Sequence, residues 1–341
     1  MHELFSTARV EGIGACTSVE SISSSQIPFD TDAERRNFIN KIGIRHKRVS
    51  EGKYTSADLC YHAARSILKN LDWDISSIGL IISVTQSPDH TVPGNGFLLH
   101  ARLGLPEHCL IIDLNAGCTG WVNGLFQCVN LLGISGIGKA LLLCGETNIL
   151  SHPSEPGSFR LMGDMGTATA LSCSADPQLY HFSVSNFGNS YKAIYAPESG
   201  AEHYRNIKGS MSVNRMKYDH TIKMDGTALQ TFISKEVSAS IRNFLSAIPL
   251  IPDVYVLHQP NMLHFDFLVK KAELDIQKTP SIIAEFGNVS SACIPLTLHQ
   301  WYVGKDPIES KISCHAFGVG LSVANLAFMS PGIICPPIVM L

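Results

Sequence analysis

Residues 110–124 read LIIDLNAGCTGWVNG, and the fold follows from this stretch. A short apolar run, Cys109–Leu114, reads as a buried strand and ends in the turn Asn115-Ala116-Gly117. Beyond Cys118, the residues Trp121, Val122, Leu125, Phe126, Val129 and Leu132 recur at helical spacing and cover most faces, which predicts a buried helix. A strand, a tight turn and a buried helix in succession make a layered α/β unit. The same pattern sets the Cys118 thiol at the first turn of a helix, at the carboxyl edge of a parallel sheet. Unpaired N–H groups and the positive dipole end favour thiolate there, so a lowered pKa is expected.

Further along the chain the pattern returns. Residues 280–294, PSIIAEFGNVSSACI, again give an apolar run, a Gly-containing turn and a helix start. Residues 76–90, SSIGLIISVTQSPDH, match 250–264, LIPDVYVLHQPNMLH, each a buried strand leaving into a polar, proline-containing turn. Thr85 lies 33 residues before Cys118, and His258 lies 33 residues before Ser291. Each pair also follows a helix. Thr55-Ser56-Ala57-Asp58 has the form of a capping box ahead of Leu59, Ala63, Ala64, Ile67 and Leu68. Gly226–Ile248 carries Leu229, Phe232, Ile233, Val237, Ile241 and Leu245 on one side. A duplicated βαβ-type unit accounts for these coincidences and divides the chain into halves 1–178 and 179–341. The remaining strand candidates are Ile78–Val84, Ala140–Cys144, Ala168–Cys173, Val254–Leu257, Ser281–Ala284, Lys311–His315 and Leu321–Phe328.

Composition narrows the functional classes. Of 341 residues, 45% are hydrophobic and 16% charged, which excludes a disordered chain. Twenty-six Lys and Arg against 29 Asp and Glu leave a net charge of −3, without the basic excess of a nucleic-acid binder. The 10 cysteines form no C-x-x-C pair and no zinc-spaced cluster, so no metal site is expected. The start, Met1-His2-Glu3-Leu4, lacks a signal peptide's features, and no apolar run approaches the ~18 residues of a membrane span. Free thiols without an export signal point to the cytoplasm. Gly12-Ile13-Gly14, taken as following a strand, is too short for a dinucleotide fingerprint. Ile44–Val49, with Arg45, His46, Lys47 and Arg48, reads as a solvated face. So does Arg205–Lys223, which holds Arg205, Lys208, Arg215, Lys217 and Lys223 against Asp219.

Taken singly, Cys118 is an ordinary buried thiol, His258 a strand-end histidine and Asn288 an N-cap. The repeat changes their meaning. If the halves pack face to face, the equivalent strand ends converge and bring Cys118, His258 and Asn288 together. A thiolate facing an imidazole and an amide donor forms an acyl-transfer site.

These residues and their surroundings resemble the β-ketoacyl-acyl-carrier-protein synthase III family of thiolase-fold condensing enzymes. The resemblance spans about residues 5–329. It rests on Gly43-Ile44-Arg45, Asp113–Gly120, Gly163-Asp164-Met165-Gly166, His258-Gln259-Pro260-Asn261, Gly287-Asn288-Val289-Ser290-Ser291 and Phe317-Gly318-Val319-Gly320. It implies two pseudo-symmetric halves in a five-layer αβαβα sandwich and a homodimer. It also implies a nucleophile at Cys118, catalytic His258 and Asn288, and an oxyanion hole from the backbone N–H groups of Cys118 and Val319. The implied reaction is a decarboxylative Claisen condensation of an acyl thioester with a malonyl-type thioester. The thioesters would be carried on acyl-carrier protein or coenzyme A, with no metal, nucleotide or flavin. The same fold accommodates acyl transfer to a hydroxyl or amine, and a non-catalytic acyl-binding subunit is a third possibility.

Some family positions differ here. The tryptophan that stacks on adenine falls on Asn37, and an arginine that contacts coenzyme A falls on Lys41. The carrier-binding arginine after the HQxN motif, within which Asn261 lies, falls on Leu263. The aromatic residue that closes the acyl tunnel from the partner subunit falls on Val92. These changes point away from free acetyl-coenzyme A towards a carrier-protein donor, for which Arg205–Lys223 offers complementary charge, and towards a roomier pocket. The tail Met329–Leu341 matches nothing in the family, and its prolines oppose a helix.

Overall fold

The structure, a computed structural model, describes residues 1–132, 137–148, 156–199, 201 and 221–341. Its centre is a nine-stranded mixed sheet. Along the main hydrogen-bonded path the strands run Val254–Leu257, Ser310–Gly318, Ser322–Ser330, Met165–Asn186, Lys139–Glu146, Leu80–Val84 and Leu110–Leu114. Pairing is parallel towards both ends, with Leu80 opposite Leu110 and Ala140, and Val254 opposite Ile312. In the middle, two long strands, His2–Thr17 and Met165–Asn186, run antiparallel with Cys16 opposite Gly166 and His2 opposite Phe182. Met165–Asn186 also pairs with Lys139–Glu146 through its first part and with Ser322–Ser330 through its second. The join placed at residues 178 and 179 falls inside this strand.

Period-two alternation along the strands distributes side chains between layers. Leu80 and Ile82 face a central layer formed by the helices Gly120–Leu131 and Cys293–Tyr302, where Trp121, Val122, Leu125, Leu296 and Leu298 are buried. Ile81, Leu141 and Ala168 face an outer layer, the helices Ser56–Asn70 and Asn95–Leu103. On the far side, Leu257, Phe317 and Val323 meet Phe232, Val237, Ile241, Phe265 and Leu268 from the other outer layer. With helices on both faces, the strands need continuous apolar runs rather than one polar side. This is the expected αβαβα sandwich.

Local chemistry explains the helix starts. Thr55 and Asp58 exchange side-chain and backbone hydrogen bonds in the expected capping box. Asp225 caps the helical run Gly226–Phe232, Ile233–Val237 and Ser238–Ala247 through the N–H groups of Thr227 and Ala228. The π turn at Ile233–Val237 rotates the apolar stripe, so that Phe244 is buried and Leu245 only half-buried.

Four sequence expectations need correction. Ser281–Ala284 is no strand; the chain turns into the short helix Ile283–Phe286. Gln259 Oε1 accepts from the Ile282 N–H and the Ser281 hydroxyl, so a side chain stands where a strand neighbour would. Leu110–Leu114 is an edge strand with Leu110 and Asp113 exposed, because among the described residues only Leu80–Val84 pairs with it. Gly12-Ile13-Gly14 follows no strand but lies inside His2–Thr17, a strand unread in the sequence. A Cβ on Gly14 would come within 2.2 Å of the Ala63 carbonyl, so the helix Ser56–Asn70 can approach only a glycine. Lys47 belongs to no solvated face: it is fully buried, donating to the Phe159 carbonyl with its ammonium 4.5 Å from that residue's ring centroid. Burial pushes its pKa down to about 8, against the pull of Asp164. The tail is ordered as an added edge strand, Val339 opposite Cys16 and Met340 opposite Thr17.

Candidate active site

The turn after Leu110–Leu114 brings Cys118 under the sheet's carboxyl edge. Gly117, at φ +51°, passes into the 3₁₀ turn Gly117–Thr119 and then the helix Gly120–Leu131. The second repeat does the same. Ser290, at φ +46°, opens the 3₁₀ turn Ser290–Ala292 ahead of Cys293–Tyr302. Cys118 and Ser291 are thus equivalent second residues of equivalent turns, as the 33-residue spacing expected.

A cavity of ≈ 310 Å³ receives Cys118, His258 and Asn288 together. These three come from three separate turns. Leu161, Ile194, Met224, Leu229, Phe232 and Ile233 give the cavity an apolar wall, and Asn261 and His264 add polar groups. The helical run that begins at Gly226 supplies three of these wall residues, so its π turn bears directly on the cavity's shape.

Cys118 is buried, its sulfur 3.8 Å from the Ser290 hydroxyl and in reach of the Val319 N–H. Gly318, at φ +153°, lies against it: a Cβ there would stand 2.7 Å from the sulfur. The expected lowering of the thiol's pKa is not found. Burial pushes it up to about 11, with the Ser290 hydroxyl and the Val319 and Cys118 N–H groups opposing and the Glu146 carboxyl adding to the rise. Desolvation of a sulfur shut beneath the cavity outweighs the helix start. The other wholly buried thiols with a resolved shift, Cys60, Cys128, Cys144 and Cys314, are raised further. Cys118 is therefore the most acidic of that group.

His258 leaves the strand Val254–Leu257 with its N–H bonded to the His315 carbonyl and its ring edge-on to Phe317, centroids 5.3 Å apart. Its Nδ1 is shut from solvent and carries no hydrogen bond among the described residues. Asn288 is held through its backbone by Leu161 and Gly163. Its Oδ1 accepts the Ser290 N–H at 2.9 Å, but the N-cap of Ser290–Ala292 is Val289, so Asn288 stands one residue before the capping position; among the described residues its Nδ2 is left as the free end of the amide. Such an arrangement can offer a nucleophilic sulfur, an imidazole and an amide donor to one bound carbonyl.

Asn261 lines the cavity as the N-cap of Met262–Lys271, its Oδ1 accepting the His264 N–H. The structure does not bring Lys41, Val92 or Leu263 to the cavity wall; all three are exposed, Val92 by 84%. Asn37 ends the helix Asp32–Asn37, also exposed. Arg205, Lys208, Arg215 and Lys217 lie outside the described residues, while Lys223 is exposed in the strand Lys223–Met224. Unread in the sequence were Glu146, Gln86, His264 and any role for Ser290. Glu146 is buried between the turns, accepting from Gln86 N, Ser87 Oγ and Ser291 Oγ, and burial raises its pKa to about 7. Their one sequence signal was the repeat, which aligns the Gln86 turn with that at Gln259 and the Cys118 turn with that at Ser291, but does not show what joins them.

The layered sheet and the Cys–His–Asn cavity define a thiolase-fold protein of the condensing-enzyme type. Comparison with known proteins agrees. Residues 252–329 match the family described as 3-oxoacyl-[acyl-carrier-protein] synthase III C terminal. The chain is 27% identical to a putative 3-oxoacyl-[acyl-carrier-protein] synthase 3 of Campylobacter jejuni, over 94% of each chain. It superposes on the crystal structure of a 3-oxoacyl-(acyl-carrier protein) synthase from Burkholderia xenovorans with a TM-score of 0.90, at 27% identity, covering 100% of this chain and 99% of the other. The corresponding synthase III from Pseudomonas aeruginosa gives 0.82 at 25% identity, covering 96% and 99%. The chain is thus similar along nearly its whole length to β-ketoacyl-acyl-carrier-protein synthase III proteins.

Proposed function

We propose that this protein catalyses a decarboxylative Claisen condensation. Cys118 takes an acyl group from a thioester, and the Cys118 and Val319 N–H groups stabilise the tetrahedral oxyanion. The first carrier thiol leaves. A malonyl-type thioester then enters, with its carbonyl oxygen held by the His258 imidazole and the Asn288 Nδ2. Loss of carbon dioxide gives an enolate, which attacks the acyl-Cys118 carbonyl and releases a β-ketoacyl thioester and the free sulfur. The observation that carries this reading is the meeting of Cys118, His258 and Asn288 on one cavity.

The substrates in this reading are thioesters of acyl-carrier protein or coenzyme A in the cytoplasm, and the chemistry calls on no resident metal or cofactor. Two similar halves, meeting near residue 178, form the enzyme. The outer edge of Leu110–Leu114, which no strand among the described residues covers, supports a homodimer, since an edge strand offers backbone groups to a second copy. No helix among the described residues is long and apolar enough to cross a membrane.

Two measurements test the reading: intact-mass detection of acyl transfer from a panel of thioesters, and carbon dioxide release from a malonyl thioester. The expected result is one acyl group, mapped to Cys118, and carbon dioxide released with product. Acylation without decarboxylation of any malonyl thioester would establish transfer to a hydroxyl or amine instead. No acylation at all would leave an acyl-binding subunit.

A further inference from the structure

The side chain that meets the Cys118 sulfur in the hydrogen-bond network is that of Ser290. Its hydroxyl stands between two acceptors, 3.8 Å from Cys118 Sγ and 3.4 Å from Gln86 Oε1. Ser290 is 3% exposed, so its hydroxyl exchanges little with bulk water. Everything around it fixes this position. Its N–H is held by Asn288 Oδ1, and its left-handed φ of +46° is rare for a residue with a side chain. Strain of this kind collects at functional sites. Gln86 is pinned in turn: its backbone N–H is bound by Glu146, whose carboxylate also accepts from Ser291, the next residue after Ser290. One buried carboxyl thus sets the distance between the two turns.

We propose that Ser290 is the positioning residue for the Cys118 nucleophile, its hydroxyl donating to the sulfur when it is a thiolate and to Gln86 Oε1 when it is a thiol. The inference rests on the reading of Cys118 as the nucleophile. In the thiol state the S–H donates to Ser290 Oγ, and the serine hydrogen points at Gln86. On ionisation the hydroxyl turns, and the anion gains a donor. The serine keeps its proton throughout and is bonded in both states, and on ionisation it is the half-buried Gln86 Oε1 that gives up a donor. The ionisable groups facing Cys118 are Glu146, from Lys139–Glu146, and His258 and His264, which line the same cavity.

The test is pulse alkylation with iodoacetamide from pH 6 to 11, with Cys118 followed by peptide mass spectrometry. Ser290→Gly is the main variant because glycine adopts the positive φ freely and removes the hydroxyl together with its Cβ; Ser290→Ala, which removes only the hydroxyl, accompanies it. A hydrogen bond to a charged group is lost, so the Cys118 profile should move up by about one pH unit. Both midpoints lie at or above the top of this range, so the readout is ~10-fold slower labelling of the variants at every pH, with iodoacetamide and with the smaller methyl methanethiosulfonate alike. An unchanged labelling rate overturns the proposal. So does a loss that differs between the two reagents, which would mean that Ser290 only shapes access. Alkylation uses no acyl or malonyl substrate, so its outcome is independent of whether condensation is the reaction.

Discussion

Truncating His258 or Asn288 separates two steps that share Cys118. In the proposed reaction, loading the sulfur calls on an anion and two backbone donors, whereas decarboxylation builds charge on the malonyl carbonyl that the imidazole and amide would hold. His258→Ala and Asn288→Ala should each still accept an acyl group yet release carbon dioxide ~10²–10³-fold more slowly, measured by stopped assays after pre-loading. Equal losses in both steps would deny the division of labour. Glu146 carries a second prediction at this scale. Burial holds its pKa at about 7 against an ordinary 4.5, so between these values the folded chain keeps a proton that the unfolded chain has lost. Its contribution to stability is full below the unfolded value and falls as pH rises through about 7, by ~3 kcal/mol in all. Glu146→Gln stays neutral and lacks that descent. The stability difference between wild type and variant in urea should therefore shrink by ~2–3 kcal/mol from pH 5 to pH 8. A constant difference would remove Glu146 as a titrating group.

Helix and strand meet most tightly where Ser56–Asn70 crosses His2–Thr17. Gly14 faces the Ala63 carbonyl there and Gly12 the end of Ile67, with 2.5 Å to a would-be Cβ. Backbone cannot yield as a flexible side chain does, so Gly14→Ala should push helix and strand apart at a cost of ~1–3 kcal/mol. Gly226, the first residue of its helix with nothing within 4 Å, is the control: Gly226→Ala should be neutral or stabilising by up to ~1 kcal/mol. Urea midpoints distinguish the two. The capping box at Thr55 was legible because its hydrogen bonds lie within four residues. The strand His2–Thr17 was not, because its partners Met165–Asn186 lie some 160 residues away.

Across the whole molecule, the tail closes a seam. Ile334 binds the backbone at Ile13 and Glu11, Val339–Met340 extends the sheet, and the Pro336 carbonyl pairs with the buried His299 Nε2 at 2.7 Å. Deleting residues 332–341 should uncover the His2–Thr17 edge and strand His299 without its acceptor, at ~1–3 kcal/mol for that group alone. The expected outcome is a lower thermal midpoint and a larger aggregated fraction by size-exclusion chromatography; an unchanged midpoint would show the tail to be dispensable. Sequence alone determined the layered α/β class, the buried helix after Cys118, the capped helix at Thr55 and, through the repeat, the trio Cys118, His258 and Asn288. All of these follow from periodicity or from spacing along the chain. Tertiary structure decided the rest: that Ser281–Ala284 turns away from the sheet because Gln259 satisfies it, that Lys47 is buried on Phe159, and that Cys118 is a raised rather than a lowered thiol beside Ser290, Gln86 and Glu146. Burial and hydrogen bonding between distant segments set those properties, and neither has a local signature in the order of residues.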